Sequence, residues 1–471
     1  MPDLARDMAL TDLLAEIPRP GITVNLASFD PGLPARLSLV DPDAQCDCAC
    51  FAVQGQALPV LNAPVSFYLE LTPFCNNHCP TCGNVFLDSS KRRQVGCALP
   101  PLSTSGWRQI LAELQPYAHR LKLTGGEPTL HPEFETIIEE VAKTSVPFTL
   151  FTNGRWSNPQ DTCALLRGAP NLEGLLVSLH GPNQAAHEAF THTPGSFAET
   201  LSNVQMAVST GLHVSLSCII THHNWDRTLE MVKLAGQLGA GSVVFNRHLG
   251  PEIADLTASR QELRSAIRTI SGLRAAGQPV KLGNCLPQCF EATDQAGCLA
   301  GIAFFTVDPW GRVRPCNHAP QLCGDLLRQS VDVIWQSPSL EAWRNLSPAQ
   351  CRGCAALLTC RGGCRAQALF HGLDADPLMT TPLTSANNRP ARVWTFYDQA
   401  RPVGHFARRA EAFGLLLLSG NRLLPVGYAA QPLLDELDGR ATLRHIESVH
   451  GPAGLALVAT LYEQGMVELR T

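Results

Sequence analysis

Short apolar runs alternate with longer amphipathic segments between about residue 66 and residue 250. The apolar runs have the length of buried strands: Ser66–Leu71, Leu121–Thr124, Phe148–Thr152, Gly174–Leu179, Val214–Ile220 and Ser242–Asn246. Helical periodicity marks the segments between them, such as Ser103–Tyr117, Glu133–Lys143, Ser196–Ser209 and Trp225–Leu238. Strands that alternate with helices predict an α/β fold with a parallel sheet and helical crossovers. Six such repeats predict a partial (β/α)6 barrel of the TIM type, whose chemistry lies at the carboxyl ends of its strands.

The periodicity weakens after residue 285, and the chain ends in a small unit with its own pattern. A hairpin-like start at Gly414–Val426 is followed by helical patterns and by a short strand, Met466–Leu469, which is a winged-helix-like order. The predicted domains are an N-terminal segment of uncertain fold (1–65), the partial barrel (66–284), a cysteine-rich domain (285–385), a linker (386–404) and the winged-helix-like domain (405–471).

Composition narrows the class of protein. The chain has 471 residues, 45% hydrophobic and 16% charged, with a net charge of −5, so we expect globular domains with no nucleic-acid partner. No apolar run approaches the ~20 residues of a membrane helix. The start Met1–Asp7 lacks the pattern of a signal peptide, which predicts a cytoplasmic protein without a membrane partner.

Eighteen cysteines are unusual for such a chain, and without an export signal they indicate metal ligands rather than disulfides. Cys46, Cys48 and Cys50 alternate with other residues, so they would share one face of a strand. They are either a metal site or cysteines of a half-buried strand.

A loop directly after the first predicted strand contains Cys75, Cys79 and Cys82 in a C-x3-C-x2-C spacing. Three thiolates can hold three irons of a four-iron cluster and leave the fourth open for a non-protein ligand. Short C-x2-C pairs also suit zinc.

Three further strand ends carry small polar residues. The second strand ends in Leu123–Pro128, which contains Gly125, Gly126 and Glu127. A glycine pair permits close approach of a ligand to the backbone, and a glutamate can pair with an ammonium group. The next two strand ends contain Asn153 and Ser178.

With these motifs, residues 66–250 resemble the radical S-adenosylmethionine (SAM) superfamily. The resemblance implies a 4Fe–4S cluster on Cys75, Cys79 and Cys82, whose open iron takes the amino and carboxylate groups of SAM. It places Gly125, Gly126 and Glu127 at the amino group of SAM, and Asn153 and Ser178 at further contacts with SAM. Thr81 stands where the family often has an aromatic residue beside the adenine. The implied reaction is one-electron cleavage of SAM to a 5′-deoxyadenosyl radical, which abstracts hydrogen from carbon.

A second cysteine field resembles the SPASM extension of radical SAM enzymes, which implies one or two auxiliary iron–sulfur clusters. In that pattern one cluster uses Cys298, Cys316 and Cys364 with Cys289 or Cys285, and the other uses Cys351, Cys354 and Cys360. Cys323 is interpreted as structural.

The family usually closes the second cluster with a cysteine after an Asp-Pro pair, but this chain has Met379 near that point. A thioether is a poorer iron ligand than a thiolate. The cluster would therefore have an open iron, an oxygen ligand such as Asp374 or Asp376, or no stable assembly.

The C-terminal unit, from Ala429–Leu443 to Leu461–Val467, resembles the peptide-chaperone domain of pyrroloquinoline quinone biosynthesis, which binds leader peptides as an added strand. A dimerisation or DNA-binding module is the alternative, although residues 405–471 lack a basic run.

We therefore expect a radical SAM enzyme that modifies a ribosomal precursor peptide, whose leader binds residues 405–471. An external electron donor such as flavodoxin or ferredoxin would reduce the cluster. The competing hypotheses are a tetrapyrrole or other small cofactor precursor as substrate, or a non-catalytic protein stabilised by metal.

Overall fold

The computed structural model describes residues 21–25, 58–80, 82–83, 85, 87–88, 93–94, 99–293, 297–385 and 393–470. The contacts within the chain divide it into two units. The larger comprises residues 43–387 and 420–424, and the smaller comprises residues 1–42, 388–419 and 425–471. Cys46, Cys48, Cys50 and Thr81 lie outside the described residues.

A ten-stranded sheet forms the centre of the larger unit. Its strands in spatial order are Val280–Leu282, Ser242–Arg247, Val214–Ile220, Leu172–Ser178, Phe148–Thr152, Arg120–Thr124, Ser66–Glu70, Phe304–Val307, Arg312–Arg314 and Gly324–Asp325. The strands from Val280–Leu282 to Phe304–Val307 pair in parallel, and the last two continue antiparallel. All six predicted strands are present in the parallel part, and the order is open, as expected for a partial barrel.

Amphipathic helices cover this sheet because each presents one apolar stripe to it. Their bounds are Thr104–Leu114, Phe134–Lys143, Pro159–Gly168, Gln184–Thr191, Ser196–Ser209, Thr228–Leu238 and Arg260–Ala275. Trp107 and Ile137 from two of these helices are fully buried, and each stabilises the fold by roughly 1.5–3 kcal/mol. The strand Ser66–Glu70 is buried at every position, as expected for a parallel strand covered on both faces.

The cysteine-rich region continues the same sheet. Phe304–Val307 pairs in parallel with Ser66–Glu70, the strand that precedes the first cysteine loop. The helices that follow are short: Val331–Trp335, Pro338–Arg344, Leu357–Cys360 and Arg365–Phe370. This pairing brings the second cysteine field to the side of the sheet that carries Cys75.

The smaller unit has paired strands and two helices, Gln431–Asp435 and Leu443–Glu463. Its strand pairs are Gly21–Asn25 with Val393–Tyr397, Arg401–Gly404 with Val467–Arg470, and Ala407–Glu411 with Gly414–Ser419. A further strand, Arg422–Val426, belongs to this unit only from residue 425 onward. Gly451, at φ 65°, breaks the long helix directly before Pro452. Two strands lie within residues 386–404, the range predicted as a linker.

None of the helices that the structure describes has both the length and the apolar character needed to cross a bilayer.

Candidate functional site

A loop at the carboxyl edge of the sheet follows the strand Ser66–Glu70 and contains Cys75, Cys79 and Cys82. We call it the N-terminal cysteine loop. Cys75 and Cys79 are half-buried and Cys82 is exposed. Burial, and then the nearby Cys82, raise the pKa of Cys75 to about 12 and the pKa of Cys79 well above its ordinary value. Thiols in this environment become thiolates when a cation takes the place of their protons, which is the chemistry of iron binding.

The glycine pair packs directly against this loop. A Cβ on Gly125 would lie 2.6 Å from the carbonyl oxygen of Thr72, and a Cβ on Gly126 would lie 2.1 Å from that of Phe74. Gly126 donates its N–H to Thr72 O at 2.7 Å, and Glu127 donates its N–H to Phe74 O at 2.6 Å. The two glycines are therefore required for the close approach of the second strand end to the cysteine loop.

Glu127 is held by hydrogen bonds from two strand ends. Its carboxylate is fully buried and accepts hydrogen bonds from the hydroxyls of Thr129 and Thr152 and from the N–H groups of Thr129 and Asn153. Burial raises its pKa, while these hydrogen bonds act in the opposite direction. Oε1 accepts three of these hydrogen bonds and Oε2 accepts one, so Oε2 keeps an acceptor position. The pairing of Glu127 with an ammonium group therefore stays a prediction, and Glu127 also ties two strand ends together.

Asn153 lies against the cysteine loop. Its side-chain amide donates to Asn76 Oδ1 at 2.6 Å and approaches Cys75 Sγ at 3.7 Å. Ser178 ends the strand Leu172–Ser178 on the same edge of the sheet. Gly125, Gly126, Glu127 and Asn153 are thus brought to the cysteine loop, and Ser178 lies further along the edge.

Arg155 was missed by the sequence analysis. Its guanidinium donates to Asn76 O at 2.6 Å and to Asn77 Oδ1 at 3.0 Å, both within the cysteine loop, and to Glu199 at 2.7 Å. It thus joins the loop to the helix Ser196–Ser209. The only local signal was its position two residues after Asn153 at a strand end.

Four cysteines of the second field form what we call the first cysteine group: Cys285, Cys298, Cys316 and Cys364. The Cys285 thiol is hydrogen-bonded to the sulfurs of Cys298 and Cys364, and Cys316 is close enough to both for their charges to raise its pKa further. The hydrogen bond from Cys285 lowers the pKa of Cys298 to about 6. Of the two alternatives left by the sequence, Cys285 is therefore the cysteine that joins this group.

Cys289, Cys351, Cys354 and Cys360 form the second cysteine group. All four line one cavity, together with Met379 and Gly362. Burial raises the pKa of Cys351 to about 11, and Cys360, Cys354 and Cys289 add to this effect. Cys323 is buried outside both groups, where its N–H donates to Val313 O, in agreement with the structural role predicted for it.

The donor sets fit iron–sulfur clusters. Thiolates are the usual cluster ligands, and all three sets consist of cysteines. In the described ranges, no three His, Cys, Asp or Glu side chains converge tightly enough to hold a single metal ion. A cluster distributes its ligands over several irons, so it needs the wider spacing of these cysteines. The three sets could therefore hold clusters, with three thiols at the first site and four at each of the others.

A cavity of about 480 Å³ opens at the ends of the strands Val214–Ile220 and Ser242–Arg247, and Asp376, which accepts the N–H of Cys364, lies in its lining. Its lining includes His248, Gln367 and His371. Burial lowers the pKa of His248 to about 4, and its Nε2 atom is buried without a hydrogen-bond partner among the described residues. A polar group of a substrate could meet this nitrogen.

Comparison with known proteins agrees with this geometry. Residues 69–235 match the radical SAM superfamily, and residues 298–355 match an iron–sulfur cluster-binding domain, SPASM. The PqqA peptide cyclase of Ruegeria pomeroyi is 26% identical over 357 residues, which cover 73% of this chain and 92% of the cyclase. The mycofactocin maturase MftC of Mycobacterium tuberculosis H37Rv is 29% identical over 337 residues, which cover 67% of this chain and 82% of the maturase.

Solved structures share the fold. SuiB of Streptococcus suis, bound to its precursor peptide SuiA, superposes with a TM-score of 0.57 at 15% identity, over 68% of this chain and 76% of SuiB. The enzyme anSMEcpe with bound AdoMet gives a TM-score of 0.52 at 16% identity, over 64% of this chain and 90% of anSMEcpe. The chain therefore carries a radical SAM domain followed by an iron–sulfur cluster-binding domain of the SPASM type.

Proposed function

We propose that this protein is a radical SAM enzyme that modifies a ribosomally made precursor peptide at carbon. The observation that carries the proposal is the similarity to two peptide-modifying enzymes over most of their lengths. The cysteine loop, the glycine pair and Asn153 support the SAM part, because they meet at one edge of the barrel. The outcome of the reaction would be a cross-link, epimerisation, oxidation or excision.

In this proposal Cys75, Cys79 and Cys82 hold the cluster that, when loaded and reduced, supplies one-electron cleavage of SAM. Gly125, Gly126 and Glu127 are the residues we assign to the amino group of SAM, because Glu127 Oε2 accepts one hydrogen bond from the chain and keeps a further acceptor position. Asn153 and Ser178 are the further contacts. Arg155 and Glu127 hold the loop and strand ends in place, which fixes the position of SAM relative to the cavity beside His248.

The substrate's leader would bind residues 405–471 as an added strand. Among the described strands of this range, Ala407–Glu411 pairs antiparallel with Gly414–Ser419. We further propose that the enzyme acts in the cytoplasm with flavodoxin or ferredoxin as electron donor.

The test is anaerobic reconstitution followed by turnover with SAM and a strong reductant, with and without co-expressed precursor peptide. We expect 5′-deoxyadenosine and a peptide of altered mass, or one that takes up deuterium from heavy water. Cys75→Ala should abolish both products. Purification with a pigment in place of a peptide would favour a small cofactor precursor as substrate, and an iron-free protein that forms no 5′-deoxyadenosine would leave only the non-catalytic hypothesis.

Deletion of residues 400–471 tests the leader site separately. We expect loss of peptide binding with retained peptide-independent cleavage of SAM. Unchanged peptide binding would show that the leader docks elsewhere.

A further inference from the structure

We propose that Cys289 is the fourth ligand of the cluster held by the second cysteine group, in place of any group near Met379. The sequence analysis left this cluster with three cysteines and an undefined fourth position. The positions of the sulfur atoms assign Cys289 to this cluster independently of the enzyme's substrate.

The two C-x3-C pairs of this region are each divided between the two cysteine groups. Cys285 contacts Cys298 and Cys364, while Cys289 lies in the cavity with Cys351 and Cys354. Similarly, Cys360 belongs to the second cysteine group, whereas Cys364 belongs to the first.

Backbone geometry explains why Cys360 and Cys364 separate. Arg361, Gly362 and Gly363 have φ values of 56°, 77° and 70°, so three consecutive residues adopt left-handed conformations. These conformations end the helix Leu357–Cys360 before the next helix begins at Arg365. A Cβ on Gly363 would lie 2.8 Å from Asp376 Oδ2, so the turn also needs glycine for space.

The segment that carries Cys289 is equally fixed. Leu286 and Pro287 are buried, and Phe290 packs beneath the guanidinium of Arg264, whose Nη2 donates to Phe290 O at 3.1 Å. The segment between Cys285 and Cys289 is therefore fixed by its neighbours. In this conformation the Cys285 side chain lies in the first cysteine group and the Cys289 side chain in the second.

Hydrogen bonds to sulfur join this segment to the second group. Thr380 donates its N–H to Cys289 Sγ at 3.4 Å and its hydroxyl to Cys289 O at 2.6 Å. Gln288, the residue before Cys289, donates its N–H to Cys360 Sγ at 3.4 Å. Backbone N–H donors to sulfur are a recurrent feature of iron–sulfur sites, where they stabilise thiolate charge.

The other candidates for the fourth ligand are engaged or chemically poor. Asp376 is fully buried in an ion pair with Arg247 and accepts the N–H groups of Cys364 and Leu378. Asp374 is exposed and does not line the cavity. Met379 lies 3.9 Å from Cys351 Sγ, but it is a neutral thioether that already accepts a hydrogen bond from Gln350.

The experiment compares single alanine variants of the reconstituted full-length protein by iron and sulfide content, Mössbauer spectra and EPR. Cys289→Ala and Cys351→Ala should each remove or alter the same spectral component, and the double variant should lose no more than either single one. Cys285→Ala should alter a different component. Cys323→Ala is the matched control, a buried cysteine outside both groups, and should leave every component intact.

A second variant separates loss of a ligand from loss of fold. Because Met379 Sδ is near Cys351 Sγ, Cys289→Ala combined with Met379→Cys should restore the missing iron and the altered component. The proposal is overturned if Cys289→Ala keeps all components, or if it alters the component affected by Cys285→Ala. Loss of every component in Cys289→Ala without rescue by Met379→Cys would also overturn it.

Discussion

The N-terminal cysteine loop and the second cysteine group are held in place by different means. The cysteine loop is held by residues from neighbouring strand ends, namely Asn153, Arg155 and the glycine pair. The second group is arranged by turns in its own chain, with a fourth cysteine in the same cavity. A site that keeps one coordination position open has only three protein ligands, so other residues must hold those ligands in position. Four cysteines, in contrast, can coordinate all the irons of a cluster. If the two kinds of support are independent, a substitution that disturbs one site should leave the other intact.

The largest effect is expected from Gly126→Ala, which should disable the cysteine loop alone. The added Cβ would meet a backbone oxygen at 2.1 Å, and backbone cannot move aside as a flexible side chain can. A displacement of about 1 Å costs on the order of 100-fold in rate, so we expect at least that loss in 5′-deoxyadenosine formation. Iron bound by the two cysteine groups should be unchanged. Gly236→Ala is the control, since it is helical with nothing within 4 Å. Near-normal SAM cleavage by Gly126→Ala would refute the role of the glycine pair.

Asp376→Asn should instead weaken the first cysteine group and leave the N-terminal cysteine loop in place. The change leaves Arg247 buried without a counter-charge, and breaking such a pair typically costs about 3–5 kcal/mol. We expect a lower denaturation midpoint and weaker retention of iron by the first cysteine group, because Asp376 also accepts the N–H of Cys364. Denaturant titration followed by circular dichroism and by cluster absorbance measures both.

The control for Asp376 is Glu230→Gln, which removes an exposed ion pair with Arg227 and should change stability by about 0.5 kcal/mol or less. Equal effects of the two substitutions would show that the buried pair does not support the cysteine field.

Local patterns predicted the parts of the molecule that depend on neighbours in sequence. The six strands, the cysteine loop and the polar strand ends all appear as short motifs, because each is encoded within a few residues. Pairings between distant residues carry no such signal. The strand Gly21–Asn25 pairs with Val393–Tyr397, and the division of Cys285 from Cys289 depends on residues about 70 positions away. The donors to Glu127 show the same limit, since two of the four come from the next strand end.

A pH-dependent prediction concerns the helix beside the cysteine loop. Burial lowers the pKa of His187 to about 4, and its Nδ1 accepts the N–H of His180. Between pH 6.5 and 4 the unfolded chain binds a proton at this residue and the folded chain does not, so stability falls as the pH falls through that window. The loss amounts to about 3 kcal/mol for a shift of this size.

His187→Asn should reduce this acid sensitivity, because the amide oxygen can replace Nδ1 as acceptor without titrating. Denaturation midpoints measured at several pH values test the change in slope. His192→Asn in the same helix is the control, since His192 is exposed and asparagine tolerates its φ of 49°. An unchanged slope in His187→Asn would show that other groups cause the acid sensitivity.

The smallest effect is expected from Arg155→Lys, which should weaken iron binding by the cysteine loop alone. It therefore tests most directly whether this loop and the two cysteine groups are supported independently. Arginine reaches Asn76 O, Asn77 Oδ1 and Glu199 from one planar group, and the single ammonium of lysine cannot reproduce that arrangement. Loss of a group that orients metal ligands typically weakens metal binding 10–100-fold, so the SAM-responsive cluster signal should need more iron to develop. Titration of the apo-protein with iron and sulfide, followed by EPR with and without SAM, measures this directly. The signals of the two cysteine groups should develop as in the parent protein, and Arg167→Lys, an exposed arginine, should change nothing. If Arg155→Lys shifted all signals together, the support of the cysteine loop would not be separable from that of the auxiliary sites.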